Sequence, residues 1–271
     1  MTRERCWRAC FATALRFALI EQARNRLALL IVVLFVPLWT TLAYEVVART
    51  PLRFYLRPVA RHVVMDGNVL TQIVGALQAL TLVVAFMMFL ATARSAAFDR
   101  RLVHGGFPPS CLALAKYAAL VLVAAAVAVY ATAWMQLFWR PVQPLLFAAG
   151  LFTGALIYGT LGIVLAAVVR SELAGMFLAI MISSVDLLLQ NPLINPEADS
   201  ALVRYLPAHG AVQVAVTAAD LHLTPWSCLL LGTGWTLALT ALGMTAFALR
   251  TRAQGPAPAP LPRAPHSMPT G

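Results

Sequence analysis

Six separate blocks of this chain, at residues 27–48, 69–92, 113–137, 142–169, 173–189 and 226–249, are long and apolar enough to cross a bilayer as helices. A spanning helix needs about 20 mostly apolar residues, because each adds about 1.5 Å across a hydrocarbon layer about 30 Å thick. Barrel strands alternate apolar and polar residues, whereas residues 118–129 are apolar all round, as expected of a helix that satisfies its backbone internally. Six such blocks joined by short polar links leave too few residues to cover a soluble core. Composition agrees: 61% of the residues are hydrophobic and 11% charged, against about 25% charged in a soluble domain. The sequence therefore predicts an all-α integral membrane protein with six transmembrane helices.

With an even number of spans both ends share one side. That side receives Arg3, Arg5, Arg8, Arg16, Arg24, Arg26, Arg94, Arg100, Arg101, Lys116, Arg170, Arg250, Arg252 and Arg263. The other receives Arg49, Arg53, Arg57, Arg61, Arg140 and Arg204. The excess of positive charge places both termini in the cytoplasm. Four arginines between positions 49 and 61 run against this bias. A formal charge of +10 invites a nucleic-acid reading, but flank anchoring to anionic headgroups explains most of it. No basic stripe with interleaved aromatics is present, so no nucleic-acid partner is expected. Arginines before the first apolar run, and the length of that run, argue against a cleaved signal peptide. The near-total choice of Arg over Lys, with abundant Ala, points to a GC-rich bacterial genome and hence to a bacterial inner membrane.

Three parts are expected: a cytoplasmic or interfacial N-terminal helix (1–26), a six-span domain (27–250) and a disordered proline-rich cytoplasmic tail (251–271). In the first, Trp7, Phe11, Leu15 and Leu19 form a row at four-residue spacing suited to the inner headgroups. Link 49–68 reads as an outer loop. Link 93–112 reads as a short cytoplasmic helix over 95–103, stopped by Gly105-Gly106 and Pro108-Pro109. Two tight hairpins follow, around Trp139-Arg140-Pro141 and Arg170-Ser171-Glu172. The longest link, 190–225, contains a helical segment at 208–221. Its valines would be poorly hydrated in water, so it is expected to rest on or dip into the outer leaflet.

Catalytic motifs are missing from the sequence. It has no phosphate-binding loop, no His-Glu-x-x-His and no Gly-x-Ser-x-Gly. The five histidines are scattered over links and tail, so neither a metal site nor a catalytic base is expected. Cys6 and Cys10, one turn apart, lack two further ligands, and with Cys111 and Cys228 they do not suggest a disulfide framework. Two carboxylates fall within spans, where charge costs at least about 2.5 kcal/mol at mid-helix: Asp186 in the fifth and Glu45 near the outer end of the first. Asp186 reads as a paired or hydrated group near the outer interface, or else as an intramembrane site for substrate or protons. Gly154, Gly159 and Gly162 supply small surfaces for close helix approach.

The order of these features resembles the type-2 permeases of ATP-binding-cassette (ABC) transporters. A basic N-terminal helix leads into the first span. After the second span, Asp99, Gly105-Gly106, Pro108 and Lys116 follow the family's sequence of an acidic residue, a small-residue turn, a proline break and a lysine entering the third span. Tyr205-Leu-Pro-Ala-His209 resembles its proline-centred segment before the last span. The lone Asp99 departs from the Glu-rich start often seen there. The resemblance implies a coupling helix with contacts at Phe98, Asp99, Arg100, Arg101 and Leu102 to a separate ABC ATPase subunit, which would hold ATP and Mg. It also implies a homodimer or heterodimer of permease chains, a re-entrant outer hairpin between spans five and six, and alternating access favouring export. Span interiors rich in Leu, Val and Ala suit an amphipathic or hydrophobic cargo. This chain itself would be a transport subunit, not an enzyme, and would carry no cofactor. A gradient-driven carrier and a non-transporting scaffold subunit are the alternatives.

Overall fold

The structure, a computed structural model, describes residues 3–252 except Arg170 and Asp199, so the proline-rich tail lies outside the described residues. Eight helices and one β-hairpin follow in order: α1 (Arg3–Arg24), α2 (Arg26–Val46), β1 (Pro51–Leu56), β2 (Arg61–Asp66), α3 (Gly67–His104), α4 (Pro109–Met135), α5 (Pro144–Val168), α6 (Glu172–Leu189), α7 (His209–Asp220) and α8 (Trp226–Arg252). Six of these, α2 to α6 and α8, are long and apolar enough to cross a membrane. The chain is a multi-pass helical membrane protein.

α3 and α5 form the central pair. Their apolar windows are 78% and 72% buried, against 17% in α2 and α8 and 28% in α6, so those three turn apolar faces outward. Close approach at the centre depends on small residues. A Cβ on Gly162 of α5 would strike the Ala85 carbonyl of α3, whereas one on Gly234 of α8 would meet nothing within 4 Å. Gly162→Ala is expected to cost about 1–3 kcal/mol of stability by overpacking. Gly234→Ala, which only restricts the unfolded chain and favours helix, is expected to be neutral or to gain up to about 1 kcal/mol. Unfolding in mixed micelles measures both.

α2 carries Pro37 in its interior, which removes the N–H that would bond the Val33 carbonyl one turn back. In an apolar medium that carbonyl needs another donor. The Tyr130 hydroxyl of α4 donates to it at 3.1 Å. Tyr130→Phe is therefore expected to destabilise the chain by about 1–2 kcal/mol, and by clearly less in a Pro37→Ala background, where the helix bonds Val33 itself. A double-mutant cycle reads the difference.

Three features depart from the sequence reading. The link after α2 is an antiparallel hairpin, Leu56 facing Arg61 and Pro51 facing Asp66, with Ala60 at φ 48° in its turn. Gln213 of α7 clamps it, accepting from the Arg57 N–H and donating to the Tyr55 carbonyl, both at 3.1 Å. The short helix expected at 95–103 is not a separate element but the end of α3, whose 38 residues run unbroken for roughly 57 Å. The expected break comes at the glycines: Gly106 has φ 89°, its N–H bonds Val103, and the Phe107 N–H bonds Leu102. This left-handed cap closes the helix end. Third, α7 is covered by protein, with every residue from His209 to Ala219 buried against α5, α8 and α3.

α1 stands against the first half of α4. The Trp7 carbonyl accepts from the Cys111 thiol at 3.7 Å, and the Gln22 amide, fifteen residues on, reaches Met88 of α3 at 3.6 Å. Trp7 and Phe11 stack at 5.7 Å, and Phe11, Leu15 and Leu19 are partly buried. Asn25 separates the two helices and caps α2, its side chain accepting from the Ala28 N–H at 3.2 Å. One end of the bundle thus carries the hairpin, α7 and the links 136–143 and 190–225. The α3–α4 turn lies at the other.

Candidate coupling segment and intramembrane polar site

The last turns of α3 extend beyond the apolar stretch that ends near Thr92, and their side chains divide by face. Asp99 turns inward. Its carboxylate pairs with the Lys116 ammonium of α4 at 2.5 Å, both side chains being largely covered. Ser95, one turn before Asp99, accepts from Lys116 at 2.7 Å and donates to Asp99 at 3.2 Å. The Lys116 ammonium also lies 5.9 Å from the Phe247 ring centroid of α8. This network ties α3 to α4 and reaches α8, because helical spacing puts residues 95 and 99 on one face.

The other face is open. Phe98 is 62% exposed, and Arg100 and Arg101 are exposed. The Arg100 side chain folds back to donate to the Ala96 carbonyl at 3.1 Å, and the His104 ring bonds the Arg100 carbonyl at 2.7 Å. Leu102 is partly buried and, with Phe98 and Phe107, walls a cavity of about 850 Å³ between α1, the end of α3 and the start of α4. Glu21 lines the same cavity. Its enclosure raises the carboxyl above the ordinary value, with the Lys116 ammonium opposing that shift. Of the five expected contact residues, then, four lie on or beside an accessible surface. Asp99 instead fixes that surface in place.

Asp186 sits in the last turn of α6, buried. Three donors converge on it: the Tyr158 hydroxyl of α5, the Gln190 amide at 2.5 Å and the Ala208 N–H at 2.9 Å. The carboxylate thereby closes the 190–208 link against α5 and holds the start of α7. Glu45 is exposed at the end of α2. A second polar cluster bridges α3 and α6: Thr81 and Ser183 share a 2.8 Å hydrogen bond, and the Gln78 amide donates to Ser184 at 3.2 Å. The sequence reading passed over this cluster and over Tyr158. Gln78, Ser183 and Ser184 were detectable as polar groups within apolar spans, where unpaired side chains are costly.

No group of three or more His, Cys, Asp or Glu side chains among the described residues is placed to hold a metal. What the chain offers is a long rigid helix with a fixed, positively charged end. Comparison with protein-family models and with curated proteins gives no match to either.

Proposed function

We propose that this chain is the transmembrane permease subunit of an ABC exporter, moving an amphipathic or hydrophobic substrate by alternating access. A separate ATPase subunit supplies the energy and binds the ATP and Mg, and two permease chains, identical or different, form the pathway. The supporting observation is α3: one continuous helix from the hairpin end of the bundle to a positively charged tip, locked to α4 by the Asp99–Lys116 pair. A rod of this kind carries displacement at the Phe98, Arg100 and Arg101 surface into the central α3–α5 pair.

In this reading the tip and both termini face the cytoplasm of a bacterial cell, and the hairpin end faces outward. The link between α6 and α8, containing α7, is the outer re-entrant hairpin. The exposed apolar faces of α2, α6 and α8 meet lipid and the second permease chain. Asp186 accepts three hydrogen bonds and serves as an anchor, which supports energy from a partner over energy from a proton gradient.

Reversing charge at the tip tests this reading. Arg100→Glu with Arg101→Glu lies on an exposed surface, so insertion and thermal unfolding are expected to stay near wild type. Stimulation of ATP hydrolysis in the reconstituted complex is expected to fall by about tenfold or more, the scale of losing charged contacts at an interface. Unchanged stimulation with normal insertion would remove the lever.

A further inference from the structure

The cavity of about 850 Å³ between α1, the end of α3 and the start of α4 does not stand alone. A groove of about 400 Å³ adjoins it and is almost wholly apolar, walled by Leu29, Val32, Met87, Leu122, Ala126 and Tyr130. Gln22 belongs to both walls. On α4 the cavity takes residues between 112 and 119 and the groove those between 122 and 130, at spacings of three and four, so one face of the helix carries both. From Ala119 to Tyr130 is roughly 16 Å of helix, half of a hydrocarbon layer about 30 Å thick. The groove therefore has the depth of one leaflet.

The cavity is charged where the groove is not. Among the described residues its wall carries Arg24, Arg26, Arg94 and Lys116 against the carboxyls of Glu21 and Asp99. Asp99 takes Lys116 as its direct partner, and Glu21 lies in the field of Lys116 and Arg94. Four cations against two carboxyls leave a surplus of two positive charges. Two polar side chains on the same wall supply the independent observation. Gln22 is 6% exposed and donates its amide to Met88 Sδ at 3.6 Å, but its Oε1 has no partner. Thr92 is 8% exposed, and its hydroxyl is unbonded, whereas Thr40, Thr132 and Thr217 each donate to the carbonyl one turn back. A buried polar atom left without a partner is costly.

We propose that the cavity and groove together hold one anionic phospholipid, its headgroup among Arg24, Arg26 and Arg94 and one acyl chain in the groove along α4. The charge surplus selects the headgroup, because basic side chains at the headgroup layer attract anionic lipid. The groove selects the rest of the molecule. A soluble phosphate ester would leave it empty, and a peptide laid in it would find almost no partners for its backbone N–H and carbonyl groups. The Thr92 hydroxyl supplies a donor for a phosphate or ester oxygen, and Gln22 Oε1 an acceptor for a headgroup hydroxyl. The site needs no ATPase partner and stands whether or not the chain is a permease.

The test uses the full chain in nanodiscs made of equal parts phosphatidylglycerol and phosphatidylcholine with the same acyl chains. The protein is extracted into detergent, and the lipid it keeps is weighed by native mass spectrometry. One phosphatidylglycerol per chain is expected to survive extraction, favoured over phosphatidylcholine by about tenfold or more. Arg26→Gln with Arg94→Gln is expected to remove that preference. Both arginines are exposed, so the variant should fold, and its unfolding midpoint verifies this. Ala126→Trp, which fills the groove from an exposed position, is expected to lower retention about tenfold or more. Arg16→Gln, exposed on α1 and outside the cavity wall, is expected to change nothing. The site is refuted if the wild type keeps neither lipid, keeps both equally, or loses its preference as much through Arg16→Gln as through the paired variant. An unchanged preference in the paired variant refutes the headgroup contacts, and unchanged retention in Ala126→Trp refutes the seat of the acyl chain.

Discussion

Asp99→Leu is expected to destabilise the chain by about 3–5 kcal/mol, while Asp99→Leu combined with Lys116→Met recovers most of the loss. The asymmetry follows from geometry. Both side chains are largely covered and pair at 2.5 Å, so deleting the acid leaves a covered ammonium that keeps the Ser95 hydroxyl, the Phe247 ring and the more distant Glu21 carboxyl but loses its direct counter-charge. Deleting both charges replaces the pair with apolar volume and leaves no uncompensated ion. Asp99 and Lys116 touch, so their effects should be strongly non-additive, and a double-mutant cycle on unfolding free energies isolates the coupling. The double variant also separates two properties of α3. Its folding should be near normal, and on the proposed coupling role, in which the pair carries motion from α3 to α4, stimulation of an ATPase partner should stay low even after stability returns.

Asp186→Leu should have the next largest effect, about 3 kcal/mol or more, because it strips an acceptor from three donors at once. Tyr158, Gln190 and the Ala208 N–H all point at the carboxylate, and each orphaned buried donor costs about 1–3 kcal/mol. Asp186→Asn keeps one acceptor oxygen and should lose less, while Tyr158→Phe removes a single donor and should cost about 1–2 kcal/mol. The order Leu, then Asn, then Phe at the partner position is what an anchor produces. Transport by Asp186→Asn at the wild-type rate across a pH series is expected on the same ground. A rate that loses its pH dependence would instead make Asp186 a proton carrier.

Most of the helical plan was legible, because span length and apolarity are set by the bilayer and can be read residue by residue. The predicted block 142–169 became Pro144–Val168, and 173–189 became Glu172–Leu189. Gly105-Gly106 and Pro108-Pro109 end one helix and start the next because glycine takes φ 89° without strain and proline fits a first turn. What was missed depended on pairing between distant segments. Leu52, Phe54 and Leu56 alternate, as do Val63 and Met65, a period-two signal for a hairpin, but the weight of helices around it made the segment read as loop. The cover over α7 could not be read from its own valines, because it is supplied by α5, α8 and α3. The same holds for the end of α3. Its residues were visible in order, but only the fold turns Asp99 inward to Lys116 and leaves Phe98, Arg100 and Arg101 outside.

The central claim, that the tip of α3 meets a separate ATPase, is tested most directly by a photocrosslinking amino acid placed at Phe98 in living cells. Phe98 is exposed and apolar at the end of the rod, so it reports what the tip touches. The account predicts a covalent adduct with a polypeptide that carries a Gly-x-x-x-x-Gly-Lys-Ser/Thr loop and hydrolyses ATP, weakened by Arg100→Glu with Arg101→Glu. Adducts only with lipid or with a second copy of this chain, in cells where the chain is inserted and folded, would contradict it.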